Sequence, residues 1–138
     1  MAGEPLKRNL FQRILGLCAT PPPRDPGCWR LENGRVVVDL ARAPELARPD
    51  GSLRLEGAGL PQRILVVRGG DGTYRAFRNR CPHGGRRLDA VPGKGQVQCC
   101  SVGKSTFDAS GRRMSGSAKK DLPTFPVEVA GDRLVIAL

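Results

Sequence analysis

Aromatic residues are scarce in this sequence, with one Trp, one Tyr and four Phe among 138 residues. A hydrophobic core must therefore be packed by Val, Leu and Ile, and a surface that stacks nucleic-acid bases is not expected. Histidine occurs only once, as His83. A mononuclear iron site built from two histidines and a carboxylate is thereby excluded. No pair of a nucleophile and a base can be assembled, so catalysis by this chain on its own is not expected.

Long hydrophobic runs and a closed cysteine framework are also missing. The apolar segment at residues 10–19 contains Arg13 and is too short to span a bilayer. Leu17 before Cys18 spoils a lipoprotein cleavage site. The cysteine count is five, and an odd number argues against a complete set of disulfides. We therefore expect a cytoplasmic protein whose thiols stay reduced and able to bind metal.

Acidic residues are almost absent from one segment of the chain. The net charge is +10. Residues 75–120 contain eleven Lys and Arg but only two acids, Asp89 and Asp108, which gives this segment +9 (11 − 2). Such a basic surface favours the docking of an acidic protein and faster encounter at low salt. No nucleic-acid-binding motif accompanies the charge, so nucleic acid is not the expected partner.

The chain is predicted to consist of an appendage, residues 1–34, and one domain, residues 35–138. Within the appendage, apolar residues at spacings of three and four predict a short amphipathic helix over residues 5–17. Three consecutive prolines at 21–23, followed by Pro26-Gly27, predict a stiff extended connector.

From residue 35 onward, short apolar segments alternate with turns. Four consecutive aliphatic residues at 64–67 predict a strand that is buried on both faces, and Gly-Gly-Asp-Gly at 69–72 predicts the turn that follows it. Leu134, Ile136 and Leu138 alternate with other residues, which predicts a half-buried final strand. Short strands with closely spaced turns indicate a mainly β fold, an antiparallel sandwich or barrel.

His83 and three of the five cysteines lie in two loops of this domain. In the first loop, Cys81-Pro82-His83 separates a thiol from an imidazole by a proline that restrains the backbone. Gly84 and Gly85 allow the same loop to curl around a cofactor.

In the second loop, Cys99 and Cys100 end an apolar segment. Adjacent side chains of a strand point to opposite faces, so one cysteine should face the first loop while the other packs. Thiolates and an imidazole from two facing loops are suited to hold an iron–sulfur cluster.

The order of the motifs resembles that of Rieske-type ferredoxin domains over about residues 36–138. The matching elements are Cys-Pro-His-x-Gly, Val-x-Cys, Phe-Asp and Ser-Gly-x-Ala. The resemblance implies a [2Fe-2S] cluster with one iron bound by two cysteines and the other by two histidines. It also implies that the loop at residues 115–118 covers the cluster.

The sequence departs from this family at the second histidine, which should follow the ligand cysteine of the second loop by three residues. That position is Val102 if Cys99 is the ligand, and Gly103 if Cys100 is the ligand. Neither side chain binds iron, so a two-histidine centre cannot form within one copy of this chain.

The resemblance implies that Cys81, His83 and Cys100 are metal ligands. Cys100 is preferred to Cys99 because it keeps the family's interval to the following Phe-Asp pair. Further loop residues expected around the cluster are Gly84, Gly85, Gly103, Ser105, Ser115 and Gly116.

The sequence leaves the identity of the fourth ligand open. It is Cys99, one of the distal cysteines Cys18 and Cys28, a water, or a group from a partner. The resemblance implies a one-electron carrier between larger redox proteins, with an acidic reductase or terminal oxidoreductase docking on residues 75–120. The alternative is a Rieske fold that has lost its cluster and serves as a structural or regulatory subunit of a redox complex.

Overall fold

The computed structural model of the chain describes residues 19–82, 84–91, 93–100 and 103–138. Within these residues, twelve strands form three antiparallel four-stranded sheets, and three 3-10 helices cover Pro26–Cys28, Leu40–Arg42 and Pro44–Leu46. The strands are β1 Trp29–Glu32, β2 Arg35–Asp39, β3 Ser52–Leu55, β4 Ile64–Arg68, β5 Tyr74–Arg78, β6 Leu88–Val91, β7 Gln96–Cys99, β8 Thr106–Asp108, β9 Arg113–Ser115, β10 Thr124–Phe125, β11 Val127–Ala130 and β12 Arg133–Ala137.

The first sheet has the order β1-β2-β12-β11 and brings the last strand of the chain beside an early one. Val38 pairs with Leu134 and Val36 with Ile136, and all four side chains are fully buried. The half-buried final strand predicted from the alternation is therefore confirmed. Leu138 lies beyond the end of β12 and is 43% exposed, so the strand ends one residue earlier than the alternation of apolar residues predicts.

The second sheet, of order β10-β5-β4-β3, separates two hydrophobic cores. Ile64 and Val66 of β4 belong to the core shared with the first sheet. Leu65 of β4 and Phe77 of β5 belong to the core shared with the third sheet. Successive strand residues point to opposite faces, so the aliphatic run at 64–67 supplies both cores. The prediction of a strand buried on both faces is confirmed.

The third sheet, of order β6-β7-β8-β9, carries the two loops predicted to be functional. The first loop connects β5 to β6, and the second connects β7 to β8. Leu88, at the start of β6, pairs with Cys99, at the end of β7. Because the strands are antiparallel, both loops leave the sheet at the same end.

The mainly β, antiparallel prediction is confirmed, although the strands described here form three separate sheets rather than a closed barrel. None of the described helices is long and apolar enough to cross a membrane. The predicted helix at residues 5–17 lies outside the described residues. The predicted division at residue 34 stays a prediction, but strand β1 already belongs to the first sheet. The connector also packs on the domain, because the Arg54 N–H donates to the Pro21 carbonyl (3.1 Å).

Candidate metal centre

The first loop is tightly closed by its own backbone. The Cys81 N–H donates to the Arg86 carbonyl, and the Gly85 N–H donates to the Cys81 carbonyl, each at 2.8 Å. Gly85 has φ = +73°, a left-handed conformation that residues other than glycine rarely adopt. Cys81 is 1% exposed. His83 lies outside the described residues, so its role as a ligand stays a prediction.

Two residues that the sequence did not single out anchor this loop. The Arg63 guanidinium donates to the carbonyls of Asn79 (2.9 Å) and Gly85 (2.6 Å), which lie at its start and near its tip. The fully buried Asn79 accepts the Leu88 N–H (2.7 Å) and so joins the start of the loop to its end. The Asn79 amide nitrogen is buried without a hydrogen-bond partner among the described residues. No local motif indicates these contacts, because each of them joins residues distant in sequence.

The second loop is held against the first. The Cys99 N–H donates to the Ser105 carbonyl (2.8 Å) and closes the loop at its base. The Cys100 N–H donates to the Arg87 carbonyl (3.1 Å), at the end of the first loop. Glu56 in turn accepts hydrogen bonds from the Arg87 guanidinium at 2.5 and 2.9 Å, and this pairing lowers the pKa of the Glu56 carboxyl. The two cysteine loops are therefore parts of one hydrogen-bonded unit.

Cys99 and Cys100 have different surroundings. Cys99 is 1% exposed and packs in the second core, which also contains Val97 and Cys81. Cys100 is fully buried but belongs to neither core. Burial lowers the pKa of Arg63, whereas Cys100 is near enough to act on it electrostatically in the opposite direction. Cys99 thus belongs to the second core and Cys100 to neither, while the assignment of one of them to a metal stays a prediction.

The loop at residues 115–118 packs closely on the second loop. The Ser105 hydroxyl is buried and accepts the Ala118 N–H (2.8 Å). Arg113 donates to the carbonyls of Gly116 (3.0 Å) and Ala118. Gly116 has φ = +94°, and a Cβ atom there would lie 2.4 Å from the Ser105 Cα. A glycine is therefore required at this contact.

Gly116→Ala is expected to lower the free energy of unfolding by at least about 2 kcal/mol, because it adds a steric clash to an unfavourable φ. Gly131→Ala is the matched control. Gly131 also has positive φ, +60°, but a Cβ atom added there would have no neighbouring atom within 4 Å. Urea unfolding of both variants measures the difference. Equal losses in the two variants would contradict close packing of the 115–118 loop.

Cys28 is placed away from the two loops. It lies in the first core and is 1% exposed, whereas Cys81 and Cys99 lie in the second core. Burial, with smaller contributions from Glu45 and Asp25, raises the pKa of the Cys28 thiol to about 11. Cys28 therefore stays protonated at neutral pH, unlike a metal-binding thiolate. Cys18 lies outside the described residues.

Removing the Cys28 thiol should make stability less dependent on alkaline pH. The thiol has a higher pKa in the folded chain, about 11, than the ordinary value of 9.0. The unfolded chain consequently loses this proton first, and stability falls as pH rises from about 9 to 11, by as much as about 3 kcal/mol. The difference in unfolding free energy between the parent protein and Cys28→Ala should shrink across that range. A constant difference would show that Cys28 has an ordinary pKa.

Asp89 is a buried carboxylate that fastens the start of the described chain to the third sheet. Its oxygens accept the N–H groups of Ala19 (2.8 Å) and Thr20 (2.7 Å), and Asp89 is 1% exposed. Asp89 pairs with Gln98 in the β6–β7 ladder. The only sequence signal for this contact is an acid beside the apolar residues of a short strand.

No single-ion site is formed by the described donors. Within residues 19–82, 84–91, 93–100 and 103–138, no three His, Cys, Asp or Glu side chains are grouped closely enough to hold one metal ion. The thiols of Cys81, Cys99 and Cys100 therefore do not form such a single-ion site by themselves.

The family of the chain follows from comparison with known domains. A family model described as the Rieske [2Fe-2S] domain matches residues 37–126, well over half of the chain. The chain therefore belongs to the Rieske [2Fe-2S] domain family, and the sequence-based recognition is confirmed.

Similar proteins include oxygenase components. The chain is 36% identical over 75 residues to the carnitine monooxygenase oxygenase subunits of Acinetobacter baumannii and Acinetobacter pittii. The match covers 54% of this chain but only 20% of each relative. The chain thus corresponds to about a fifth of those proteins.

Solved structures show the same fold. The plasma membrane Rieske protein PetC3 of Synechocystis PCC 6803 is 26% identical with a TM-score of 0.54, over 64% of this chain and 87% of that one. The ferredoxin of carbazole 1,9a-dioxygenase from Nocardioides aromaticivorans IC177 is 22% identical with a TM-score of 0.56, over 65% and 86%.

The cofactor of this domain is a [2Fe-2S] cluster. Cys81 and Cys100 fit it in chemistry, since they are buried thiols on two loops that hydrogen-bond to each other. The nearby Arg63 guanidinium suits the negative charge of a thiolate-bound cluster. The sequence contains a single histidine, His83, so two histidine ligands cannot come from one copy of the chain.

Proposed function

We propose that this domain carries one electron at a time between larger redox proteins, with Cys81, His83 and Cys100 as ligands of its cluster. The observation that carries the proposal is the hydrogen-bonded pairing of two cysteine loops within a Rieske fold. When bound, a [2Fe-2S] cluster supplies one-electron oxidation and reduction. Ser105 and Gly116 would exclude water by keeping the 115–118 loop against the second loop.

For the fourth ligand we propose Cys18. Its chain neighbour Ala19 is held by Asp89, which pairs with Gln98, two residues before Cys100. Cys99 stays an alternative, because it belongs to the same second core as the proposed ligand Cys81. Cys28 is less suited because it lies in the first core with a raised pKa.

Three thiolates and one imidazole would place more negative charge on the cluster than the usual set of two thiolates and two imidazoles. This lowers the reduction potential relative to a two-histidine centre. Arg63, fixed by two backbone carbonyls, would offset part of the charge from a constant position.

The test is anaerobic purification followed by iron and acid-labile sulfide analysis, with visible and paramagnetic-resonance spectra. We expect about two irons and two sulfides per chain, as the cofactor requires. Cys18→Ala should lose most of the cluster, while the matched variant Cys28→Ala should keep it. Equal retention in both variants would contradict Cys18 as a ligand.

A second candidate function is a structural or regulatory subunit that binds no cluster. The observation that favours it is Gly103 at the position of a ligand histidine. A protein that remains colourless after anaerobic reconstitution with iron and sulfide, yet keeps its β-sheet circular dichroism, would establish this alternative and exclude the carrier.

We propose an acidic reductase or terminal oxidoreductase as the partner. The similarity to oxygenase subunits supports a role as a component of a multi-protein oxidoreductase. The single histidine of residues 1–138 cannot supply a separate mononuclear iron site. The cytoplasmic location expected from the cysteine usage stays a prediction.

A further inference from the structure

A recess of about 490 Å³ opens beside the first loop. Its lining includes Cys81 and Gly85 of the first loop, and Lys120, Asp121 and Pro123 of a later segment. The two segments are joined by a hydrogen bond from the Arg78 N–H to the Pro123 carbonyl (2.9 Å). The recess therefore adjoins the backbone of a proposed cluster ligand and is built from two connected segments.

Three cations face this recess: Arg78, Arg80 and Lys120. Within the described residues none of them has a carboxylate partner, whereas Glu56 pairs with arginines elsewhere in the molecule. One acid, Asp121, also lines the recess, and its Oδ1 accepts the Arg113 N–H (2.8 Å). The described part of the recess consequently has an excess of positive charge.

The Arg80 guanidinium lies against Gly85, which has no side chain, at the edge of this recess. A Cβ atom at Gly85 would lie 3.3 Å from the Arg80 Cζ and 3.4 Å from its Nη2. The guanidinium therefore lies over the backbone of the first loop. A planar guanidinium can bind a carboxylate through two parallel hydrogen bonds.

We propose that this recess binds carboxylate side chains of an acidic partner protein and seats that partner beside Cys81. This inference rests on the proposed electron-carrier function and adds the docking site to it. The positive charge of the recess attracts any anion, and the acidic redox partner proposed above presents carboxylates, which guanidinium groups bind through paired hydrogen bonds. The scarcity of aromatic residues argues against a nucleic acid as the occupant.

The test measures binding of a fluorescein-labelled hexaglutamate peptide to the purified full chain by anisotropy at low salt. The double variant Arg80→Gln/Lys120→Gln should weaken binding about tenfold or more, because two charge-assisted contacts are lost. The matched control, Arg35→Gln/Arg48→Gln, removes the same charge from exposed positions elsewhere and should change binding less than about twofold.

Equal weakening in both double variants would mean that net charge alone attracts the peptide, and would contradict binding at the recess. The carboxylate assignment would be overturned if inorganic phosphate displaced the peptide at a concentration equal to that of the peptide's carboxylates. It would also be overturned if a single-stranded oligonucleotide bound more tightly than the peptide and lost that binding in the Arg80→Gln/Lys120→Gln variant. Iron content is measured on the same samples. If the protein lacks the cluster but still binds the peptide, only the carrier function is contradicted. If the protein contains the cluster but does not bind the peptide, only the docking site at the recess is contradicted.

Discussion

Cys100→Ala is expected to yield a folded protein without its visible absorption and with almost no bound iron. Cys100 is fully buried, lies outside both cores, and is attached through its backbone to the first loop. A cluster that bridges the two loops cannot be retained when one thiolate is replaced by a methyl group. The measurement is iron and sulfide content after anaerobic reconstitution, with visible spectra of the same samples.

Cys99→Ala is the matched control for that experiment. Its side chain packs with Val97 in the second core, so the substitution should cost about 1 to 2 kcal/mol of stability while the colour remains. The opposite result, a colourless Cys99 variant and a coloured Cys100 variant, would show that the ligand is Cys99. Colour in both single variants would refute a ligand from this pair of cysteines.

Gly103→His is expected to raise the reduction potential of the cluster by about 200 mV or more. The new imidazole stands where the family's second histidine is expected under the Cys100 assignment. A neutral imidazole that replaces a thiolate removes negative charge from the cluster and favours its reduced form. Potentiometric titration followed by visible and paramagnetic-resonance spectra measures the shift.

Gly103→Gln controls for the size of the new side chain, because it adds a side chain at the same position but an amide is a poor iron ligand. It should leave the potential of any retained cluster close to that of the parent protein. The double variant Cys18→Ala/Gly103→His gives a sharper test. We expect the histidine to restore the cluster that Cys18→Ala loses, and no restoration would contradict either Cys18 or position 103 as a ligand position.

Much of the fold was predictable from local patterns. The aliphatic run at 64–67 predicted a strand with two buried faces because strand side chains alternate, and the structure confirms one face in each core. Turn sequences and short apolar segments predicted a mainly β, antiparallel fold. The division into three sheets was not predictable, because it depends on which distant strands pair, as β2 does with β12.

The candidate site was predictable in its chemistry but only partly in its construction. Motif order identified both cysteine loops and the family. Arg63, Asn79 and Asp89 were not recognised, because their side chains bond to backbone groups 16, 9 and about 70 residues away. Such contacts leave no periodic or local signal in the sequence.

Residue type and order alone establish the family, the mainly β class, the basic segment and the lack of a second histidine. Strand pairing and packing, in contrast, place Cys28 in a different core from Cys81 and bring Ala19 onto Asp89 of the third sheet. Local preferences select strands and turns, whereas the distances between loops arise because strands remote in the chain pair and pack.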